Sequence, residues 1–327
     1  MKILKNYKVP TGNIIVAQGE YGPLEFLSIG DYGKGVNLNQ GKDVPDGLSI
    51  MPLEEKWVIT VSTQYNCRIG CKFCDVPKIK YTGQNNNLTY DDLRNQIVCG
   101  LELHPEVLAT KRLNVHFARM GEPTYNDNVL YVAKDLRKIV MPHIGRSLIH
   151  PVVSTMMPNN NENLNKFIND WVEIKNYDYR GDAGLQLSIN STSEQERIDM
   201  FNDNSLTLEE ISYMMKWVDK PKGRKYTLNF AVADYEINAE KLRDLFDPKH
   251  FVVKLTPMHK TSSALRNGIE TVGDYTTPYP YEHHKQALEK VGFDVLVFIA
   301  SRDEDLGRIT CGNAILAGTL PHKYEEV

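Results

Sequence analysis

No apolar run in this 327-residue chain approaches the roughly 20 residues needed to span a bilayer, so no membrane partner is expected. The first residues, Met1-Lys2-Ile3-Leu4-Lys5-Asn6-Tyr7-Lys8, are basic but lack an apolar core and a small-residue cleavage site, which excludes a secretory signal. Cysteine is scarce. There are five, an odd number with three inside eight residues, which argues against a disulfide scaffold and for a reducing compartment, with the cytoplasm as the expected location. Excess charge of one sign is also missing. The 38 Lys and Arg against 42 Asp and Glu leave −4, so no chain-wide basic footprint marks a nucleic-acid binder, although a local basic rim remains compatible. There is no internal repeat and no long low-complexity tract; Asn85-Asn86-Asn87 and Asn159-Asn160-Asn161 are short polar loops.

With 41% hydrophobic and 24% charged residues, the chain has the composition of a globular protein with a large core, enough for one barrel-sized domain or two smaller ones. Residues 1–55 carry frequent glycines and short β-prone pieces at 13–17 and 25–29, with a turn over 30–35. They offer too little apolar surface to stand alone, so they form an N-terminal β extension. Residues 56–327 form the core domain. Strands are expected at 57–63, 113–120, 150–157, 184–190, 226–233, 251–257 and 294–300. Helices fall between them at 89–103, 127–140, 161–175, 207–218, 238–246 and 280–291. Thr89 with Asp92, and Thr207 with Glu210, mark two helix starts as capping-box-like. Repeated strand–helix units imply an α/β fold with a parallel sheet and right-handed crossovers, in a full or partial (β/α) barrel.

The most informative stretch follows the first of those strands: Cys67-Arg68-Ile69-Gly70-Cys71-Lys72-Phe73-Cys74, spaced C-x3-C-x2-C. Thiolates this close repel one another unless a cation or iron–sulfur cluster absorbs their charge. Three ligands leave one position of a four-iron cluster, or of a tetrahedral zinc, open. In such folds, reactive groups sit in loops after the C-terminal ends of strands. Met120-Gly121-Glu122-Pro123, Ser154-Thr155, Ser188-Ile189-Asn190 and Thr256-Pro257-Met258-His259-Lys260 stand at strand ends too. Each taken alone also reads as a turn or a cap. Lys78, Lys80, Lys260 and Arg266 share that end, where a phosphate contact fits, whereas Lys220, Lys222, Arg224 and Lys225 belong to the opposite end as a solvated loop. Cys99 reads as a small buried hydrophobe in a helix, and Cys311 by itself reads the same way.

The cysteine spacing, with Phe73 before the third cysteine, resembles the radical S-adenosylmethionine (SAM) superfamily. Within it, Val61-Ser62-Thr63-Gln64-Tyr65-Asn66 and the trio, with Gly121-Glu122-Pro123, Asn126 and Asn128-Val129, are similar to the RlmN/Cfr group of adenine methylases of ribosomal and transfer RNA. The likeness runs from about Glu25 to Leu316. It implies a partial (β/α)6 TIM-like barrel, a [4Fe-4S] cluster on Cys67, Cys71 and Cys74, and SAM as second cofactor. By the same resemblance, Gly121, Glu122, Ser154, Ser188, Ile189, Asn190 and His259 contact SAM. Cys311, in Cys311-Gly312-Asn313-Ala314, carries the methyl group to an sp2 carbon of a nucleobase. An electron donor such as flavodoxin or ferredoxin and an RNA substrate are the implied partners.

The chain also departs from that pattern. Thr60 stands where the family has a second cysteine that releases the product, and no threonine hydroxyl can do thiolate chemistry. His259 replaces an asparagine and Asn190 a histidine. No glutamate corresponds to the family's near Gly47, and the family's helical RNA-binding extension is not found. Three readings follow: methyl transfer to a nucleobase; direct hydrogen abstraction from another substrate, with Cys311 donating hydrogen or merely packing; and a non-catalytic protein with zinc on the trio plus His116 or His259. The substrate stays open among RNA, DNA and a small molecule.

Overall fold

A computed structural model of the chain describes residues 1–31, 50–83, 85–145, 147–271, 281–298, 302–322 and 324–327. Its strands are β1 (Lys2–Val9), β2 (Gly12–Gln18), β3 (Pro23–Ile29), β4 (Trp57–Val61), β5 (Arg112–Phe117), β6 (Leu148–Thr155), β7 (Gly184–Ser188), β8 (Tyr226–Val232), β9 (Phe251–Pro257), β10 (Asp294–Val297) and β11 (Glu325–Glu326). They make one sheet of eleven strands in the order β10-β9-β8-β7-β6-β5-β4-β3-β2-β1-β11. From β4 to β10 every pairing is parallel and between sequence neighbours. β1, β2, β3 and β11 pair antiparallel beyond the β4 edge. Among the described residues no ladder joins β10 back to β4.

The helices are α1 (Tyr90–Glu102), α2 (Asn128–Val140), α3 (Leu164–Glu173), α4 (Glu194–Met200), α5 (Leu208–Trp217), α6 (Ala239–Leu245), α7 (Ser262–Arg266), α8 (Tyr281–Lys290) and α9 (Arg302–Leu306). Strand alternation sorts residues between two faces. Leu185, Leu187, Leu228, Phe230, Val253 and Leu255 turn to one face and pack in the main core with Leu136, Trp171, Ile211, Leu242 and Leu288 from the helices. The alternate positions of β7, β8 and β9 stay half-exposed on the other face. Helices α1, α2, α3, α5, α6 and α8 therefore cover one side of the sheet, and the other side receives the loops. No helix among the described residues is long and apolar enough to cross a membrane.

The expected elements are all found, shifted by a few residues at their ends. The strand expected to 300 is described only to Val297, since residues 299 and 300 lie outside the described residues, as does most of the turn over 30–35 and all of Gly47. Thr207 and Glu210 form the complete reciprocal capping box. At Thr89 only half of it forms. Asp92 instead accepts from the Tyr65 hydroxyl at 2.6 Å and from the Glu20 amide, tying α1 to the cysteine loop and to the extension. A buried carboxylate with those donors has no reason to reach back to its own cap.

Candidate functional site

The loop after β4 turns at Gly70, whose φ of +77° is a left-handed conformation that glycine adopts without strain. Four distant groups hold it. Lys72 donates its amide to the Met200 carbonyl at 3.0 Å and Asp75 its amide to the Gly312 carbonyl at 2.8 Å. Thr261 Oγ1 donates to the Phe73 carbonyl at 2.6 Å, and Asn204 Nδ2 to the Ile69 carbonyl at 2.9 Å. Cys67, Cys71 and Cys74 are half-buried and free. Their walls are apolar and rich in methionine: Ile69, Met156, Met200, Phe201 and Met258 on one side, Val76, Ile79, Met120 and Ala314 on the other. Burial pushes the Cys67 thiol up to about 12 and lifts Cys71 and Cys74 as well, the neighbouring Cys67 adding to both. Three crowded, reluctant thiols in an apolar recess fit a group that absorbs thiolate charge. Among the described residues no three His, Cys, Asp or Glu side chains converge at single-ion distances.

Gly121 and Glu122 follow β5. Gly121 has φ +92°, and a Cβ there would lie 2.5 Å from Gln64 Cβ and 2.8 Å from Gln64 N. Only glycine lets this turn press against the start of the cysteine loop. The Glu122 amide donates to Gln64 Oε1 at 2.9 Å. The Glu122 carboxylate is buried, accepting from Thr124 Oγ1 at 2.8 Å and from the Met156 amide at 3.1 Å. Burial raises its pKa, and hydrogen bonds from Thr155, Met156 and Thr124 hold it down. Met120 before this turn packs with Cys67 and Cys74, and Tyr125 after it with Cys67 and Cys71, so the Gly-Glu-Pro turn and the trio share one recess.

The other sequence candidates divide. Ser154 and Ser188 are half-exposed positions at the ends of β6 and β7. Ile189 is fully buried in the main core, and its amide donates to the Asn229 carbonyl. Asn190, at φ 62°, accepts from the Ala231 amide at 2.9 Å through its side-chain oxygen. His259 lies with Nδ1 3.5 Å from Asp305 Oδ1, and burial lowers its pKa to about 4, so it is neutral near pH 7. Cys99 packs in α1 against the main core, away from the clusters that hold Cys67, Cys71 and Cys74.

Cys311 is brought to the trio. Its neighbour Gly312, at φ +84°, leaves only 3.3 Å between a would-be Cβ and the Phe73 carbonyl oxygen, and 3.8 Å to Cys74 Cα. Cys311 keeps an exposed surface, yet protein encloses it closely enough that burial raises its thiol pKa against the pull of Lys254 and Arg119. Accessible surface combined with dense surroundings is what a group lining a recess has. Three residues that sequence reasoning passed over belong here. Lys254 is a half-exposed position of β9, with Nζ 5.4 Å from the Phe298 ring centroid. Glu25 and Arg119 form a buried ion pair at 2.8 Å. For Glu25 and Lys254 the one available signal was a charged residue at an alternating strand position; the partners that give it meaning are far away in sequence.

No family model matches the chain. Among curated proteins, it is 27% identical over 213 residues to the probable dual-specificity RNA methyltransferase RlmN of Aquifex aeolicus, covering 63% of this chain and 56% of that one. It is 27% identical over 218 residues to its counterpart in Christiangramia forsetii, covering 65% and 56%. The dual-specificity RNA methyltransferase RlmN of a Sulfurovum species is 32% identical over 84 residues, covering 26% and 22%. The chain thus spans about half the length of the two longer matches. Among solved structures, a spore photoproduct lyase variant superposes with a TM-score of 0.45 at 13% identity, covering 73% of this chain and 75% of that one. The residues of the cysteine loop and the curated relatives point the same way: this chain resembles the radical SAM enzymes, and among them the RlmN group.

Proposed function

We propose that this chain is a radical SAM enzyme of the RlmN type, acting on a nucleobase, with RNA as the first substrate to test. Its core, residues 56–327, is read as a partial (β/α)6 barrel, and residues 1–55 as the β extension. Cys67, Cys71 and Cys74 would hold a [4Fe-4S] cluster, and the open corner would take the amino and carboxylate groups of SAM. Such a cluster would supply one-electron reduction of bound SAM, fed by a donor such as flavodoxin or ferredoxin, and so radical chemistry at this site.

The chain's own residues supply position, polarity and exclusion of water. Gly121 allows backbone to approach a ligand closely, and Glu122 offers a buried carboxylate beside the trio as partner for an ammonium group. Ser154 and Ser188 present hydroxyls from strand ends, and neutral His259 offers a ring nitrogen. The methionine-rich wall keeps water off the trio. Cys311 would be the methyl carrier: after its thiol proton passes to water, the thiolate sulfur would take the methyl group of SAM as the sulfonium carbon–sulfur bond breaks, and S-adenosylhomocysteine would leave. One observation carries this reading: the packing of Cys311-Gly312 against Phe73-Cys74, which sets a fourth thiol beside the trio.

A second reading draws on Thr60 and Cys99. With a hydroxyl at Thr60 and Cys99 in the helix layer, none of the described thiols outside the trio stands ready to release an adduct from Cys311. Direct hydrogen abstraction from substrate, with Cys311 as hydrogen donor, needs no such thiol. Anaerobic turnover on a mixed RNA pool separates the two. The first expects S-adenosylhomocysteine with 5′-deoxyadenosine, and the second 5′-deoxyadenosine alone. About four irons and four sulfides per chain are expected after reconstitution, and their absence would sink both.

A further inference from the structure

Glu25 is an interior residue of β3, and its side chain points to the sheet face opposite the helices, where Leu27 and Ile29 pack with Ile309 and Ile315 of the C-terminal segment. There it meets Arg119, from the turn before Gly121, at 2.8 Å between Nε and Oε1. Both side chains are essentially closed to solvent, at 0% and 2% exposure. The remaining valences go to one place. Glu25 Oε1 accepts from the Ile315 amide at 3.2 Å and Oε2 from the Leu316 amide at 2.9 Å. Arg119 Nη2 donates to the Arg308 carbonyl at 2.9 Å. The pair therefore grips the chain on both sides of Cys311.

A fully buried ion pair is a poor way to gain stability, because desolvation cancels most of the attraction and an apolar pair of similar volume does as well. An ionic pair offers direction: its hydrogen bonds fix the register of the backbone they hold. Between the two grips, the Gly312 carbonyl takes the Asp75 amide, which locks the same segment to the cysteine loop. We propose that Glu25 and Arg119 are a positioning pair that sets Cys311 beside the trio, making the N-terminal β extension a working part of the site. The geometry stands without the proposed chemistry; only the meaning of Cys311 rests on that reading.

The test is the alkylation of Cys311 by iodoacetamide in the 327-residue chain after iron–sulfur reconstitution, read by mass spectrometry, with Cys99 in α1 as internal reference. Glu25→Gln should raise the Cys311-to-Cys99 rate ratio about fivefold, because a released loop removes the crowding around a thiol that already keeps an accessible surface. Arg119→Lys keeps a charge for Glu25 but loses the Arg308 contact, and should raise it about twofold to threefold. Iron content and the absorbance near 400 nm should stay at the unmodified level. An unchanged ratio in both variants overturns the proposal, and so does a rise in Cys99 reactivity in step with Cys311, which marks general loosening. If Glu25→Gln does not fold, amide exchange in the unmodified protein decides. Protection of Ile315 and Leu316 at the level of the β4 amides is expected, and loop-like exchange overturns the idea. Failure to cleave SAM would be seen in turnover and would leave these ratios readable.

Discussion

The amide of Asp75 and the carbonyl of Gly312 meet at 2.8 Å, joining the residue after the third clustered cysteine to the residue after the last cysteine of the chain. The Asp75 carboxylate, itself buried, accepts from the Ser263 amide at 2.9 Å and Ser262 Oγ at 3.0 Å, and pairs with Lys78. One residue thus ties the cysteine loop to α7 and to the C-terminal segment. Asp75→Asn keeps the shape but removes the charge that Lys78 pairs with and, with Oδ1 kept towards Ser263, turns an NH2 donor to the Ser262 amide. A loss of about 2–3 kcal/mol in urea denaturation is expected.

Gly121 should tolerate no side chain. Its left-handed φ and the contact with Gln64 act together, so Gly121→Ala must displace either the Gly-Glu-Pro turn or the start of the cysteine loop. A destabilisation of about 3 kcal/mol or more, measured by thermal unfolding, is the expected result. The same substitution at Gly268, also at positive φ but with open space around its would-be Cβ, should cost only about 1 kcal/mol.

Thr60 lies two residues beyond Val58, on the same face of β4, and Val58 packs with Ile309 and Ile315 on either side of Cys311. A thiol at Thr60 would therefore sit under the Cys311 segment. Thr60→Cys is expected to form a disulfide with Cys311 under mild oxidation, detected as a linked peptide by mass spectrometry. If the second reading of function is correct, Thr60→Cys should lower turnover, whereas in the methyl-transfer reading it should raise the yield of released product.

Acid should destabilise the protein earlier than its carboxylates alone require. Burial lowers the pKa of His116 to about 3 and that of His150 and His259 to about 4, against an ordinary value of 6.5. The unfolded chain then takes up protons first, so stability falls as pH drops from about 6.5 towards 4. Each unit of depression is worth about 1.4 kcal/mol per histidine. The urea midpoint should fall steadily between pH 7 and 4.5, and His116→Gln should flatten that slope.

How far the sequence could be read depended on range. The seven parallel strands were legible because alternation and apolar runs are local, and β9 was read at its observed bounds. β1 was not, since most of its residues are solvent-exposed and carry no apolar rhythm. α4 and α7 were missed because helices of 7 and 5 residues fall short of two full turns. The cysteine trio announced itself through spacing, whereas Cys311 was placed only by resemblance. Glu25 and Lys254 in strands and Arg119 in a turn went unseen because a lone charged residue says nothing until its partners, dozens to hundreds of residues away, are folded against it. Ile189 shows the converse: a segment matched by likeness turned out to spend its side chain on the core.

The pairing of β4 has a topological consequence. A strand has two edges, and β4 uses one on β3 and the other on β5. It has none left for β10, so the seven parallel strands cannot close into a ring through it. Among the described residues the parallel strands therefore form an open run, and its β4 side is continued by the antiparallel strands that carry Glu25.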